Sequence, residues 1–255
     1  MNIFQQAKDG IIPPEVSSIA EYEEVPTDFV EQKFLSGEIV IFKNSNRDIK
    51  PVAVGTGLKT KVNANIGSSP DFFDIETELS KLAAAIDAGA DAVMDLSTGG
   101  NIPEFRKEII NRSTVPLGTV PLYEVAGEMF QQNKSLMEMT IDDFLSIISR
   151  QAAEGVDFMT IHSGITKESI KSIKSSDRII EITSRGGAII AEWMNLNNSE
   201  NPLFEYFDEI CEILSEYNVV LSLGDGMRPG AIHDANDRGQ IHEMIILGQL
   251  TKRAK

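Results

Sequence analysis

The feature that most constrains this chain is an alternation beginning near residue 60, in which short β-branched apolar runs are each followed by an amphipathic helical pattern. The strand candidates are Lys61–Ile66, Ala92–Leu96, Val115–Val120, Asp157–Ile161, Ile179–Thr183 and Val219–Leu223. Runs apolar on both faces, separated by helix-length connections, belong to a parallel sheet, either open or closed into a barrel. The helices between them are legible. Ile75, Leu79, Leu82 and Ile86 recur at spacings of 4, 3 and 4, which places them on one helix face. Thr140 precedes Ile141, Phe144, Leu145 and Ile148, with Asp143 three residues on as a near capping box. Asn201-Pro202 reads as an N-cap with proline at the first helical position, ahead of a stripe of Leu203, Phe207, Ile210 and Leu214.

The first 50 residues differ: they carry Pro13-Pro14, an acidic Glu21-Tyr22-Glu23-Glu24 and an isolated strand-like Glu38–Phe42. They read as an N-terminal extension (1–50), with residues 51–255 forming the strand–helix unit. The fold class expected is α/β, a (β/α)8-type barrel that is incomplete. A closed barrel takes eight strand–helix units in roughly 250 residues, and six are found here.

Composition narrows the function. With 39 acidic against 23 basic residues the formal charge is −16, which argues against nucleic acid as a partner. No apolar run approaches the ~20 residues of a membrane span, and the N-terminus lacks a basic region followed by an apolar one. The single cysteine, Cys211, excludes an internal disulfide framework and a cysteine-cluster metal site made by this chain alone. A cytoplasmic α/β protein with a small-molecule ligand is expected.

Each strand candidate ends in a polar, mostly glycine-rich cluster. These are Asn63-Ala64-Asn65-Ile66-Gly67, Asp95-Leu96-Ser97-Thr98-Gly99-Gly100, Gly118-Thr119-Val120-Pro121-Leu122-Tyr123, Thr160-Ile161-His162-Ser163-Gly164, Ser184-Arg185-Gly186-Gly187 and Leu223-Gly224-Asp225-Gly226-Met227-Arg228-Pro229-Gly230. Six such clusters at consecutive strand C-termini mark the rim where barrel enzymes build their sites. Arg185 and Arg228 offer fork-shaped donors for a phosphate or carboxylate, so an anionic ligand is expected. His162, directly after an apolar strand, reads as functional, whereas Tyr123 reads equally as a site residue or as rim packing. Asp95 serves as a cap or as part of the site. His233 and His242, nine residues apart, share no helix face and read as surface residues, and Cys211 reads as a buried inert thiol. Gly55-Thr56-Gly57 is too short a fragment to be read as a phosphate loop.

Taken in order, Lys-Val-Asn-Ala-Asn-Ile-Gly, Val-Met-Asp-Leu-Ser-Thr-Gly-Gly, Gly-Thr-Val-Pro, Ser-Arg-Gly-Gly, Leu-Gly-Asp-Gly-Met-Arg-Pro-Gly and Leu-Thr-Lys-Arg-Ala closely resemble the phosphomethylpyrimidine synthase family of thiamine biosynthesis. Ala7-Lys8-Asp9-Gly10-Ile11 and Gly37-Glu38-Ile39-Val40-Ile41 extend the likeness to the N-terminus, with Phe42 a departure where the family usually has proline. The resemblance implies a radical S-adenosylmethionine lyase, a homodimer, that converts aminoimidazole ribotide to hydroxymethylpyrimidine phosphate. It also implies an N-terminal domain, a (β/α)8 barrel and a C-terminal 4Fe-4S domain.

Carried over by motif, the substrate contacts fall on Asn65, Met94, Tyr123, His162, Ser184, Arg185, Gly186, Asp225, Gly226, Met227 and Arg228. No catalytic residue is assigned. The implied cofactors are a 4Fe-4S cluster, S-adenosylmethionine and a divalent metal, zinc or iron. In the family their ligands lie in segments that follow Leu-Thr-Lys-Arg-Ala and are not found here. The expectation is therefore a chain that carries most of the substrate site and does not cleave S-adenosylmethionine alone. Two other readings compete: a hydroxybenzimidazole synthase acting on the same ribotide, and a non-catalytic ribotide-binding remnant. A lysine Schiff-base aldolase ranks last, because no lysine ends a later strand.

Overall fold

The computed structural model of the chain describes residues 2–174 and 176–254. It divides into two compact units. The first takes residues up to Val120 with Ile148–Met159 and Ile213–Leu221; the second takes Pro121–Ile147, Thr160–Glu212 and the residues from Ser222 on.

The first unit opens with α1 (Ile3–Lys8), α2 (Pro14–Glu23), α3 (Thr27–Leu35), β1 (Ile39–Phe42) and β2 (Val52–Gly55). Asn2 caps α1 by accepting from the Gln5 amide at 2.7 Å, and Pro14 sits at the first position of α2, where a missing N–H is harmless. The strand expected to stand alone has a partner that the sequence did not announce. β1 and β2 pair antiparallel, with Ile39 opposite Gly55 and Phe42 opposite Val52. Gly55 closes this ribbon at φ +146°, where a Cβ would overlap the Glu38 carbonyl, so only glycine fits. Ile3, Val16, Ile19, Val30, Ile39, Ile41 and Ala53 form one apolar cluster around this ribbon.

Next come β3 (Asn63–Ile66), α4 (Ile75–Asp87), β4 (Ala92–Asp95), α5 (Ile102–Arg112), β5 (Leu117–Thr119), α6 (Pro121–Gln131), α7 (Ile141–Glu154) and β6 (Phe158–Ile161). The remainder is α8 (Lys167–Lys174), α9 (Arg185–Asn197), α10 (Pro202–Glu205), α11 (Phe207–Glu216), β7 (Val220–Leu223) and α12 (Arg238–Ala254). A parallel sheet runs in the order β3-β4-β5-β6-β7. In its register Asn65 stands beside Met94, Met94 beside Gly118, and Gly118 beside Phe158. One face of β3–β5 packs Ile66, Val93 and Leu117 on Leu79, Leu82 and Ile109 from α4 and α5. On the other face Asn63 and Asn65 are exposed, and the Phe158 ring lies where a Gly118 side chain would be.

Charge closes the first unit's interior. Fully buried Asp157 accepts from the amides of Asn44 and Leu117, each at 2.8 Å, and pairs with Arg47 Nη1 at 3.0 Å. Burial pushes its carboxyl up, opposed by Arg47 and those amides. Arg106 pairs with Glu154 at 2.7 Å. Glu78 pairs with Lys81 at 2.6 Å and accepts the Gly67 amide at 2.8 Å.

In the second unit Thr140 and Asp143 cap each other: Asp143 accepts the Thr140 amide at 2.8 Å and donates its own to Thr140 Oγ1 at 3.3 Å. The indole of Trp193 on α9 donates to the Met139 carbonyl at 3.0 Å. Asn201 accepts the Leu203 amide to start α10, and Leu203, Phe207 and Ile210 are buried, as is Leu214, which belongs to the first unit.

The expected strand Ile179–Thr183 is not one. The Ile179 and Ile180 amides donate instead to the Asp234 carboxylate at 2.8 and 3.0 Å, and Arg178 donates to the Glu181 carbonyl at 2.6 Å. With its first two amides committed to that side chain, the segment joins no strand ladder among the described residues. Five of the six expected parallel strands are therefore present among the described residues.

Candidate ligand-binding site

Nine of the eleven site residues expected from the sequence lie in the second unit, at the ends of β6 and β7 and at the starts of α6 and α9. His162 follows β6 directly and is buried. Two glycines make room for its ring. A Cβ on Gly186 would come within 2.3 Å of His162 Cε1, and one on Gly224 within 3.0 Å of its Cδ2. Burial, helped by the Arg228 charge and opposed by Asp225, lowers the His162 pKa to about 4, so the ring is neutral at pH 7. Its Nε2 lies 3.4 Å from Ser184 Oγ, while its Nδ1 is buried with no partner among the described residues. In one tautomer Nδ1 is an unused donor and in the other an unused acceptor.

Ser184 caps α9, its hydroxyl accepting the Gly187 amide at 3.2 Å. The amides of a helix's first turn have no intrahelical partner, so Arg185 and Gly186 begin a segment suited to an anion. Arg185 is exposed and lies over the Tyr123 ring, 5.4 Å from its centroid, within cation–π range. Among the described residues it has no carboxylate in ion-pair range. Burial pushes the Tyr123 phenol up, against Arg185 and Arg228, so it stays a neutral hydroxyl. Tyr123 therefore packs under Arg185.

In the loop after β7, Asp225 and Arg228 are exposed and pair with each other at 3.2 Å. Gly226 admits no side chain, since a Cβ would meet Ile165 Cδ1 at 2.3 Å. Met227 is fully buried, its side chain part of the interior. Asn65 and Met94, the other two expected contacts, belong to the first unit. They are register neighbours on β3 and β4, with Asn65 exposed and Met94 half-buried. Asp95 is buried and accepts from the amide and hydroxyl of Ser97, so it braces its own turn. Burial pushes its carboxyl up; Asn101, not Asp95, caps α5. Among the residues read as bystanders, His233 is largely exposed, 3.6 Å from Asp177, and His242 is 3.7 Å from Glu168.

Sequence reasoning missed the side chains that hold these loops. Glu243 on α12 accepts the Gly226 and Met227 amides at 2.8 and 2.7 Å. Arg178 donates to the Met227 carbonyl at 2.6 Å. Asn201 donates to the carbonyls of His162 and Ile165 at 2.8 and 3.0 Å. Only Asn201, as a helix cap, left a signal in the sequence.

A family model described as the radical SAM ThiC family matches residues 2–255. The chain belongs to that family. Among curated relatives it is 48% identical over 250 residues to a phosphomethylpyrimidine synthase of Thermodesulfovibrio yellowstonii, covering 98% of this chain and 59% of the relative. It is 49% identical over 256 residues to the enzyme of that name from Caldanaerobacter subterraneus, covering 100% and 59%. For the Methanocaldococcus jannaschii protein of that name the identity is 48% over 255 residues, covering 100% and 60%. The chain thus spans about 60% of the length of these relatives.

The family implies S-adenosylmethionine and a 4Fe-4S cluster. The residues present do not fit such a cluster, which takes several thiolates. Cys211 is the sole cysteine, and burial beside Asp208 pushes its thiol up to about 11, opposed by Arg253. Among the described residues no three His, Cys, Asp or Glu side chains group as a metal site.

Proposed function

We propose that this chain carries most of the aminoimidazole ribotide site of a phosphomethylpyrimidine synthase, a carbon–carbon lyase of thiamine biosynthesis that makes hydroxymethylpyrimidine phosphate. The observation that carries this reading is the buried, unpartnered Nδ1 of neutral His162 beside the capped start of α9. A polar atom buried without a partner costs about 1–3 kcal/mol, and a bound ligand that bonds to it recovers that cost.

In this reading the ribotide phosphate sits on the Arg185 guanidinium, the Ser184 hydroxyl and the first-turn amides of α9. Arg185 is held over Tyr123 and, among the described residues, has no competing carboxylate, so its fork is available. Asp225 and Arg228 exchange their mutual ion pair for ribose hydroxyls or the aminoimidazole. His162, neutral above about pH 5, donates or accepts one hydrogen bond and holds a proton at a ring nitrogen. Gly226 and Met227 shape the loop that carries Asp225 and Arg228.

The finer architecture belongs to the same proposal. Residues 1–50 form an extension and residues 51–255 part of a (β/α)8-type barrel, in a cytoplasmic homodimer. S-adenosylmethionine chemistry, the 4Fe-4S cluster and a divalent metal are held by ligands other than the residues described here. The test is calorimetric binding of the ribotide and of its dephosphorylated nucleoside. Arg185→Ala is expected to weaken the ribotide at least about tenfold, as loss of a charged hydrogen bond does, and to leave the nucleoside within about twofold. Equal weakening of both removes the phosphate assignment, and no ribotide binding by the native chain removes the reading.

A further inference from the structure

Two side chains outside the proposed ligand contacts hold the loop that carries Asp225 and Arg228. Glu243 lies on α12, 17 positions after Gly226, and is buried. Its two carboxylate oxygens take the Gly226 and Met227 amides separately, at 2.8 and 2.7 Å. On the other side of residue 227, Arg178 Nη2 takes the Met227 carbonyl at 2.6 Å. That guanidinium is fixed in turn by Asp237, which also accepts the Gln240 amide at 2.9 Å at the start of α12. Helix α12 and the residue just before it therefore supply the carboxylate that holds the loop's amides and the carboxylate that orients the arginine on its carbonyl.

The arrangement is costly unless it positions something. A buried carboxylate in a low-dielectric surrounding is unfavourable, and burial pushes Glu243 above the usual carboxylate range despite its two amides and Arg178. A glutamine could accept only one of the two amides and would turn its own N–H₂ on the other. Gly226 is shaped to the same contact, since a Cβ there would lie 3.2 Å from Glu243 Oε1 as well as against Ile165. With both its backbone groups bonded and its side chain buried, Met227 anchors the loop, leaving Asp225 and Arg228, one residue or two away, exposed.

We infer that Glu243, with Arg178, is a positioning residue that fixes the Gly226–Met227 backbone so that Asp225 and Arg228 meet the part of the ribotide remote from its phosphate. This rests on the ribotide reading above. The test measures binding of the ribotide and of inorganic phosphate to the native chain and to Glu243→Gln, together with amide hydrogen exchange. The variant is expected to weaken the ribotide about tenfold, as loss of one charged hydrogen bond does. Inorganic phosphate should stay within about twofold, because Ser184 and Arg185 are untouched. Exchange at Gly226 and Met227 should accelerate while that at Gly187 stays constant.

Ribotide affinity within about twofold of native overturns the inference, and so does an equal loss for ribotide and phosphate, which is the mark of general damage. If Glu243→Gln does not fold, Arg178→Lys, which cannot span Asp237 and the Met227 carbonyl together, is expected to give the same split. If the native chain binds no ribotide, the function proposal fails, and exchange then decides the clamp: native protection at both amides supports it, and its absence overturns it.

Discussion

Both units pair their buried charges, but they differ in the buried polar groups left without a partner. In the first, Arg47 sits on Asp157, Arg106 on Glu154, and Glu78 on Lys81 and the Gly67 amide. In the second, among the described residues, His162 Nδ1 and Ser163 Oγ are buried without partners and Arg185 projects without a carboxylate. Buried charges that are paired and bonded on every side have no capacity left for a ligand, so the first unit's network is scaffold. In the second unit unused capacity lies at His162 and Ser163 after β6 and at His242 Nδ1 on α12, and the pair after β6 adjoins the start of α9.

The contrast can be broken experimentally, beginning with the scaffold. Asp157→Ala leaves Arg47 and two amides without their acceptor and is expected to cost about 3–5 kcal/mol in urea unfolding. A loss under about 1 kcal/mol would mean that the network is not structural. Second in size is the pH response of His162. Its folded-state pKa lies below the unfolded value, 6.5 falling to about 4, so the unfolded chain takes up the proton first. The associated stability is whole above pH 6.5 and is lost as pH falls through about 4, roughly 3 kcal/mol in all. His162→Gln should flatten that part of the stability–pH curve, and an unchanged slope would mean that the ring is not buried neutral.

Smaller still, Ser184→Ala removes the α9 cap and should cost about 1 kcal/mol. Smallest is Arg185→Ala, whose exposed guanidinium should change stability by no more than about 0.5 kcal/mol. A large destabilisation would move Arg185 from the ligand to the scaffold and erase the difference between the units.

Much of this was legible in the sequence, for physical reasons that also explain the rest. The parallel strands announced themselves because β-branched runs with helix-length separations have few other uses. Ile179–Thr183 has the same local pattern, but its amides are claimed by Asp234, more than 50 residues later, and no local pattern can report that. β2 was missed because Val-Ala-Val-Gly after a proline is too short to separate from a turn until β1 is beside it. The site was legible wherever a rim residue carries its own chemistry, as His162, Ser184 and Arg185 do. Glu243 was not, because an acidic residue on a helix reads as solvent-facing. Here Met244 and Ile245, its neighbours, are the exposed ones, and the inversion follows from two amides on a loop distant in sequence.

The indole on α9 has an optical consequence. Trp193 is the chain's sole tryptophan, so ultraviolet emission excited at the red edge of absorption comes from one ring in one known setting, its N–H tied to the Met139 carbonyl. It lies on the helix that Ser184 caps, so its emission reports on the folding of that helix. The protein thus carries a built-in, label-free gauge of whether its second unit is folded around α9.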